Sequence, residues 1–309
     1  MRIFCEMRSK DYEPPYAFDR RPNFWKIAET LGLDGRTVKA RARQWEVDGI
    51  IKYYQVIPNY NLLGIKASCY VFRFDDETKK YEAMKKFRLV DGILEMVDNV
   101  PGTVFVWIAY EDEDQLSRRL ELVTELSDLR SRPLKFFERV FDPVPIDLTR
   151  LDWQIIMCLR YNALKSASKI AEECGVTRKT VRARLERLIQ HRTFFSKPFF
   201  DASKITGFLV YTLVFIFDPS RRQEALGELD NIFQEKCFKR ILPPHGNALF
   251  FIWGKSLAEL EENSLKTRQV KGVLDVKWML TKEIIEFPQL IDKLINKKIA
   301  MPAEQLIKS

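Results

Sequence analysis

The chain has 309 residues, of which 46% are apolar and 30% are charged, enough to build two to four small cores. It contains no apolar run near the roughly 20 residues that a membrane-spanning helix needs, and its first residues lack the apolar segment of a signal peptide. We therefore expect a soluble, cytoplasmic protein with no membrane partner. The five cysteines lie far apart, and two histidines without a Cys-x-x-Cys pair argue against a zinc site, so we expect reduced thiols, no metal and no cofactor.

The net charge of +8 is concentrated in two segments of the chain. Residues 20–60 hold eight basic and four acidic side chains, and residues 150–197 hold eleven and four, so the remainder is net acidic. A basic excess confined to two segments predicts two phosphate-binding surfaces, whereas a generally basic protein would carry its charge throughout.

An internal repeat relates these two segments. A shift of 143 residues aligns Lys26–Arg41 with Lys169–Arg184 without a gap, and nine of the sixteen positions are identical. The same shift pairs Gly64 with Gly207 further along the chain. The period is far too long for a solenoid, so we infer a tandem duplication of a two-domain unit.

The start of the first copy departs from the repeat. Prolines interrupt any helical period in residues 1–22, whereas the second copy has a clear helix, Leu151–Arg160, entered through Thr149 as N-cap. We predict that the first copy has lost or remodelled its leading helix.

Both copies then show a helix-turn-helix pattern, which is clearest between Lys169 and Leu188. Gly175 supplies the backbone freedom of a tight turn, and Thr177 is a good N-cap for the second helix. Apolar residues recur in that helix at spacings of four and three, while most basic residues lie off this stripe. The pattern predicts a DNA-recognition helix, although a solvated amphipathic helix would show the same periodicity.

The basic and hydroxyl side chains of these segments are the candidate DNA contacts. We predict that five of them lie near base edges: Arg36, Lys39, Arg178, Lys179 and Arg182. Four others would help fix the helices on the DNA backbone: Thr37, Arg41, Thr180 and Arg184. Arg43 and Arg187 are further candidate DNA contacts. Most such contacts go to phosphate and carry no sequence information. Arg41 and Arg184 have an alternative role as structural arginines within their own domains.

A short aromatic segment follows each basic helix. Residues 50–57 and 194–200 alternate as strands do, and we interpret each as the paired strands of a wing. Lys52, Arg192 and Lys197 would there reach phosphates beside the groove, unless they serve only solubility.

Each winged unit is followed by the order β-α-β-β-α-β. In the first copy the segments are 67–74, 78–87, 93–97, 104–109, 114–128 and 134–141, and in the second they are 209–217, 221–233, 238–242, 248–253, 257–270 and 273–281. This order predicts a ferredoxin-like, antiparallel four-stranded sheet with two helices on one face. We expect the uncovered faces to be apolar and buried against each other or a second chain, through Tyr70, Phe72, Phe105, Trp107, Tyr211, Leu213, Phe250 and Ile252.

The predicted architecture is therefore α+β, with two tandem copies of a winged helix-turn-helix plus a ferredoxin-like domain. We divide the chain into residues 1–60, 61–145, 146–202 and 203–309. Two prolines make the joint between the copies, Asp142–Asp147, short and stiff. A final helix is predicted after Pro288.

The order of domains resembles the Lrp/AsnC family of transcription regulators, the leucine-responsive or feast/famine proteins. The residues that carry the resemblance are Leu151-Asp152, Ile170-Ala171, Gly175-Val176, Thr180-Val181, Arg184-Leu185 and Arg187-Leu188. The resemblance implies a non-catalytic regulator whose ferredoxin-like (RAM or ACT-like) domains pair and whose winged units read a pseudo-palindrome in double-stranded DNA. Here the duplication would supply an intramolecular pseudo-dimer, with a homodimer also possible. Recognition helices about 34 Å apart would enter successive major grooves.

Two loops depart from the family pattern. The family's effector loop has a Gly followed shortly by an Asp, but residues 101–105 and 245–249 contain no acid, which argues against a small-molecule amino-acid effector. An alternative is an enzyme like the siroheme decarboxylases, which resemble the same module, although the corresponding loop contains only His245 of their histidine- and arginine-rich pattern. A further alternative is an architectural DNA-binding protein with little sequence preference.

Overall fold

The structure is a computed structural model, and it describes residues 25, 28–29, 32–129, 132–139, 141–201, 204–233, 236–242 and 246–302. The remodelled leading helix predicted in residues 1–22 lies outside the described residues. Within these ranges, no helix combines the length and the apolar character needed to cross a bilayer.

The first copy comprises three helices and five strands in its described part. They are α1 (Gly35–Val47), β1 (Ile51–Pro58), β2 (Lys66–Arg73), α2 (Glu77–Phe87), β3 (Ile93–Val100), β4 (Thr103–Tyr110), α3 (Glu113–Ser127) and β5 (Leu134–Arg139). A short 3-10 helix, Tyr60–Leu63, separates β1 from β2.

The second copy has its complete helix-turn-helix in the described residues. Its elements are α4 (Arg150–Leu159), α5 (Ala167–Cys174), α6 (Arg178–Gln190), β6 (Phe194–Phe200), β7 (Leu209–Phe217), α7 (Arg222–Phe233), β8 (Cys237–Ile241), β9 (Ala248–Gly254), α8 (Leu257–Arg268), β10 (Val273–Glu286) and α9 (Gln289–Ala300). The predicted α+β fold class is confirmed, because a helix-turn-helix and an antiparallel sheet are both present.

Local capping explains where the three helices of the second helix-turn-helix unit, α4 to α6, begin. Thr149 and Asp152 form a reciprocal capping box at the start of α4. The hydroxyls of Ser166 and Thr177 accept the first-turn amides of α5 and α6. Gly175 ends α5 at φ 65°, the left-handed conformation that permits the sharp turn before α6.

The two ferredoxin-like units form one eight-stranded sheet in the order β5-β2-β4-β3-β10-β7-β9-β8. The two copies join where the end of β10 pairs antiparallel with β3, from Leu280 opposite Val100 to Glu286 opposite Glu95. β10 has 14 residues, whereas its counterpart β5 has six. Prolines follow soon after β5, at positions 143 and 145, and a proline cannot donate a hydrogen bond to a neighbouring strand. The last strand of the sheet is therefore extended in the second copy, as β10, and not in the first, as β5.

The faces of the sheet differ from the predicted assignment. Cross-strand partners share a face, and β2 pairs Cys69 with Trp107 and Tyr70 with Val106. Trp107 and Phe105 therefore lie on the helix-free face as predicted, but Tyr70 and Phe72 pack beneath α2 and α3. The prediction was also wrong for four residues of the second copy, which pack beneath α7 and α8: Tyr211, Leu213, Phe250 and Ile252.

The helix-free faces of both units belong to one core. Phe105 and Trp107 of the first copy share it with Val214 and Leu249 of the second. The same core includes apolar residues of the second helix-turn-helix, such as Trp153. The sheet and the second helix-turn-helix are consequently packed as a continuous body.

The predicted wings are corrected by the pairing of β1 with β6. Instead of a hairpin in each copy, the strand that follows α1 pairs antiparallel with the strand that follows α6, for example Val56 opposite Ser196. We call this two-stranded sheet the ribbon. Asn59 N donates to Thr193 O at 2.8 Å, extending the hydrogen bonding beyond it. The strands that follow α1 and α6 are thus joined to each other by backbone hydrogen bonds.

Gly102 is a position where the backbone leaves no room for a side chain. Its φ is 47°, and a β-carbon there would overlap the carbonyl oxygen of Phe74. Gly64 also has positive φ, at 70°, but no atom approaches its virtual β-carbon. We expect Gly64→Ala to cost about 1 kcal/mol of stability and Gly102→Ala to cost at least about 2 kcal/mol more, because backbone must shift. Urea denaturation of both variants measures the difference, and equal losses would contradict the steric argument.

Candidate nucleic-acid interface

The first turns of α6 present three basic side chains to solvent. Arg178, Lys179 and Arg182 are exposed, and within the described residues no side chain forms an ion pair or hydrogen bond with them. Thr180 is half-buried, and its hydroxyl lies 2.9 Å from the hydroxyl of the N-cap Thr177. The opposite face of α6 packs into the core through Val181, Leu185 and Leu188. The N-terminal half of α6 therefore presents positive charge that no neighbouring carboxylate neutralises, while its buried face fixes the helix to the core.

Two other arginines of α6 point back into their own domain. The Nη1 atoms of Arg184 and Arg187 lie 3.2 and 3.3 Å from Oδ2 of Asp152, which is fully buried in α4. Arg187 also donates to the carbonyl oxygen of Asp147 at 3.1 Å. Arg184 thus adopts the structural role considered for it as an alternative, and Arg187 shares that role.

The first copy presents a similar basic helix. Asp34 caps α1 by accepting the amides of Arg36 and Thr37 at 2.8 and 3.3 Å. Val38 and Ala42 are buried, whereas the five predicted contact residues are exposed: Arg36, Thr37, Lys39, Arg41 and Arg43.

The repeat gives Arg41 no aligned carboxylate. Arg41 aligns with Arg184, but the residue aligned with Asp152 is Ser9, which carries no charge and lies outside the described residues. The structural role of Arg184 therefore does not transfer to Arg41 through the repeat, and the DNA contact of Arg41 stays a prediction.

Three predicted phosphate contacts lie on or beside the ribbon, and one of them is corrected. Lys52 pairs with Asp201 at 3.0 Å, and Arg192 lies 3.9 Å from Asp142; both side chains are about half exposed. Lys197 is buried, and its ammonium lies 3.0 Å from Glu286. The prediction for Lys197 is wrong, because a strand that pairs across the copies turns this side chain toward the interior.

A buried polar cluster that the sequence did not reveal lies beneath the ribbon. The side-chain amide of Gln55 donates to both carboxylate oxygens of Glu286 at 2.8 and 2.9 Å, beside the ion pair from Lys197. Nearby, Arg160 pairs with Asp292 at 2.9 Å and also donates to a ribbon carbonyl. These residues come from distant parts of the chain, and no local spacing brings them together.

Glu286 makes the stability of this cluster depend on pH. Burial acts to raise the pKa of Glu286, but the charge of Lys197 and the hydrogen bonds from Lys197 and Gln55 outweigh it and hold the pKa below its usual value. A carboxyl whose pKa is lowered in the folded state contributes stability above its unfolded value of about 4.3, and this stability is lost as the pH falls below that value.

We therefore expect the wild-type protein to lose stability between about pH 5 and pH 3, and Glu286→Gln to lose less over the same range. The difference in urea midpoint at the two pH values measures the effect. Glu283→Gln is the matched control, because Glu283 is exposed on the same strand. An identical pH dependence for all three proteins would contradict the prediction.

Comparison with known proteins agrees with the geometry of α4 to α6. Residues 148–189 match the family model described as the AsnC-type helix-turn-helix domain. Comparison with curated protein sequences yields no significant match. The chain therefore carries a DNA-binding domain of the helix-turn-helix class. The match to an AsnC-type domain agrees with the resemblance of the sequence to the Lrp/AsnC family over this segment.

Solved structures extend the similarity to the whole fold. The crystal structure of the siroheme decarboxylase NirDL aligns with 97% of this chain and 99% of its own, at 14% identity and a TM-score of 0.55. NirDL in co-complex with an iron-uroporphyrin III analogue aligns over the same shares at 13% identity and a TM-score of 0.55. The AsnC structure from E. coli aligns with 44% of this chain and 93% of its own, at 17% identity and a TM-score of 0.34. At such identities the similarity to NirDL concerns the fold.

Proposed function

We propose that the protein binds double-stranded DNA sequence-selectively as a transcription regulator, with α1 and α6 reading successive major grooves. The observation that carries the proposal is the first half of α6, where Arg178, Lys179 and Arg182 are exposed without a partner in the described chain. Three neighbouring cations without counter-charge attract a polyanion. The AsnC-type match over the same residues supports this reading.

In the proposed mechanism, residues in the first half of α6 contact the DNA and residues in its second half position the helix. Arg178 and Arg182 are one helical turn apart, so both can point into one groove. Arginine can donate two hydrogen bonds to the major-groove edge of guanine, whereas lysine acts as a point charge on phosphate or base. Arg184 and Arg187 are positioning residues in this mechanism, because their pairing with Asp152 holds α6 against α4.

The ribbon supports simultaneous binding by both copies. Its two strands, β1 and β6, follow α1 and α6 and pair with each other through backbone hydrogen bonds. A fixed relation between the two helices lowers the entropic cost of placing the second helix after the first has bound. We propose that the two half-sites lie about one turn of DNA apart, as in other helix-turn-helix dimers.

Selection from a random duplex library tests this function. We expect enriched sequences with two half-sites spaced by about 10 base pairs, and an affinity at least about 1,000-fold above that for random duplex at the same salt concentration. Binding without enrichment would instead support the architectural alternative. No binding to any duplex would refute the proposal.

A siroheme-decarboxylase-like activity is the second candidate, and the fold shared with NirDL over 97% of the chain favours it. The only histidine of the corresponding loop is His245, which lies outside the described residues. We propose a non-catalytic protein, since no Tyr-x-Arg-x-His pattern is present in this loop. Anaerobic incubation of the purified protein with siroheme, followed by chromatography, decides between them. Conversion to a decarboxylated product would replace the non-catalytic reading.

A further inference from the structure

A pocket that opens to solvent lies between the helix-free sheet faces and the ribbon, with about 900 Å³ of empty space when the solvent at its mouth is counted. Both copies contribute to its aromatic wall, which includes Phe105, Trp107, Phe136, Phe199 and Phe251. None of these residues belongs to the proposed DNA-binding surface.

The charged side chains in this wall are two carboxylates and one ammonium. Lys197 is committed to Glu286 at 3.0 Å, and Gln55 donates to the same carboxylate. Glu95 lies 3.9 Å from Lys197, too far for a hydrogen bond, and its side chain is 16% exposed. Within the described residues no side chain donates a hydrogen bond to Glu95, so its carboxylate retains unused acceptor capacity beside the cavity.

The aromatic wall limits, without excluding, the water that stabilises the charge of Glu95, and this incomplete hydration has a free-energy cost. A ligand that brings a positive charge would offset this cost. The faces of the aromatic rings would attract the same charge. A ligand carboxylate, by contrast, would face Glu95 and Glu286 while Lys197 is already paired.

We propose that this cavity binds an organic amine, with an aromatic or other apolar body held among the rings and a protonated nitrogen donating to Glu95. The site lies beneath β6, which follows the second recognition helix after three residues. Binding of such a molecule is independent of whether the protein binds DNA, so the proposal can fail without affecting the proposed function.

Three dansyl probes that share one fluorophore test the proposal on the full chain. Dansylcadaverine carries a terminal amine, its N-acetyl derivative is neutral, and dansyl-aminocaproate is anionic. We expect dansylcadaverine to bind at least about tenfold more tightly than the neutral probe, and the anion to bind weakest. Fluorescence enhancement and calorimetry measure the three dissociation constants.

Glu95→Gln should reduce the affinity for dansylcadaverine at least about tenfold while leaving the neutral probe unchanged, because it removes the charge but preserves the shape. Glu283→Gln, on the exposed part of β10, is the control with the same change in charge. A second variant, Val97→Phe, fills the cavity and should abolish binding of both probes. Equal affinity for the amine and the neutral probe, no effect of Glu95→Gln, or undiminished binding to Val97→Phe would overturn the proposal.

Discussion

Replacement of Arg178, Lys179 and Arg182 together by alanine is expected to weaken DNA binding at least about 100-fold at physiological salt, because contacts to bases and phosphates are lost together. Each lost phosphate contact should also lower the slope of log affinity against log salt concentration by about 0.9. Fluorescence anisotropy on a selected duplex, repeated at several salt concentrations, measures both quantities. The fold should persist, because all three side chains are exposed.

The matched control removes the same charge from another helix. Lys79, Lys85 and Lys86 are exposed on α2, which covers the ferredoxin-like sheet of the first copy. Their replacement by alanine should change the affinity only a few-fold and leave the salt slope unaltered, since long-range attraction is screened beyond about 8 Å at physiological salt. Equal losses for the two triple variants would mean that net charge, and not the α6 surface, accounts for binding.

Asp152→Ala is expected to destabilise the second helix-turn-helix by about 3 kcal/mol. Its carboxylate is fully buried and accepts the Thr149 amide at 2.8 Å and the Thr149 hydroxyl at 2.7 Å, in addition to its two arginine partners. The variant therefore loses a helix cap and leaves two cations unpaired. Arg184 and Arg187 are about one-third exposed, so water can partly hydrate them in the variant. The expected loss of stability is therefore at the lower end of the range for breaking a buried ion pair.

Hydrogen exchange is the appropriate measurement for Asp152→Ala, because the effect should be local. A loss of about 3 kcal/mol corresponds to exchange about 100-fold faster in α4 and α6, while the sheet amides remain protected. Glu186→Ala is the control, since Glu186 lies on α6 and is exposed. Unchanged protection in α4 and α6 of the aspartate variant would show that the pairing contributes little.

The helix-turn-helix and the order of strands could be predicted from the sequence because their signals are local. Thr177 and Gly175 lie at the ends of the helices whose boundaries they predict, and apolar spacing identifies the buried side of α6. The repeat also identified the duplication, because aligned residues need no knowledge of contacts. The domain boundaries and the remaining DNA contacts stay predictions.

Alternation along a strand separates its two faces but does not say which face is covered by helices. Tyr70 and Trp107 are both large and apolar, yet they lie on opposite faces because β2 and β4 pair Tyr70 with Val106. The hydrophobic pattern alone could not relate the register of one strand to that of another. The assignment therefore depended on the pairing between strands.

The partner of each ribbon strand was decided only by tertiary structure. β1 and β6 are separated by more than 130 residues, and either could have formed a local hairpin with the same alternating pattern. Their pairing buries Lys197 beside Glu286 and forms one side of the pocket that contains Glu95. In the same way, the structural role of Arg184 depends on Asp152, which lies on another helix. Sequence periodicity describes the chemistry of a segment, but the cost of burying a charge depends on which distant group lies opposite it.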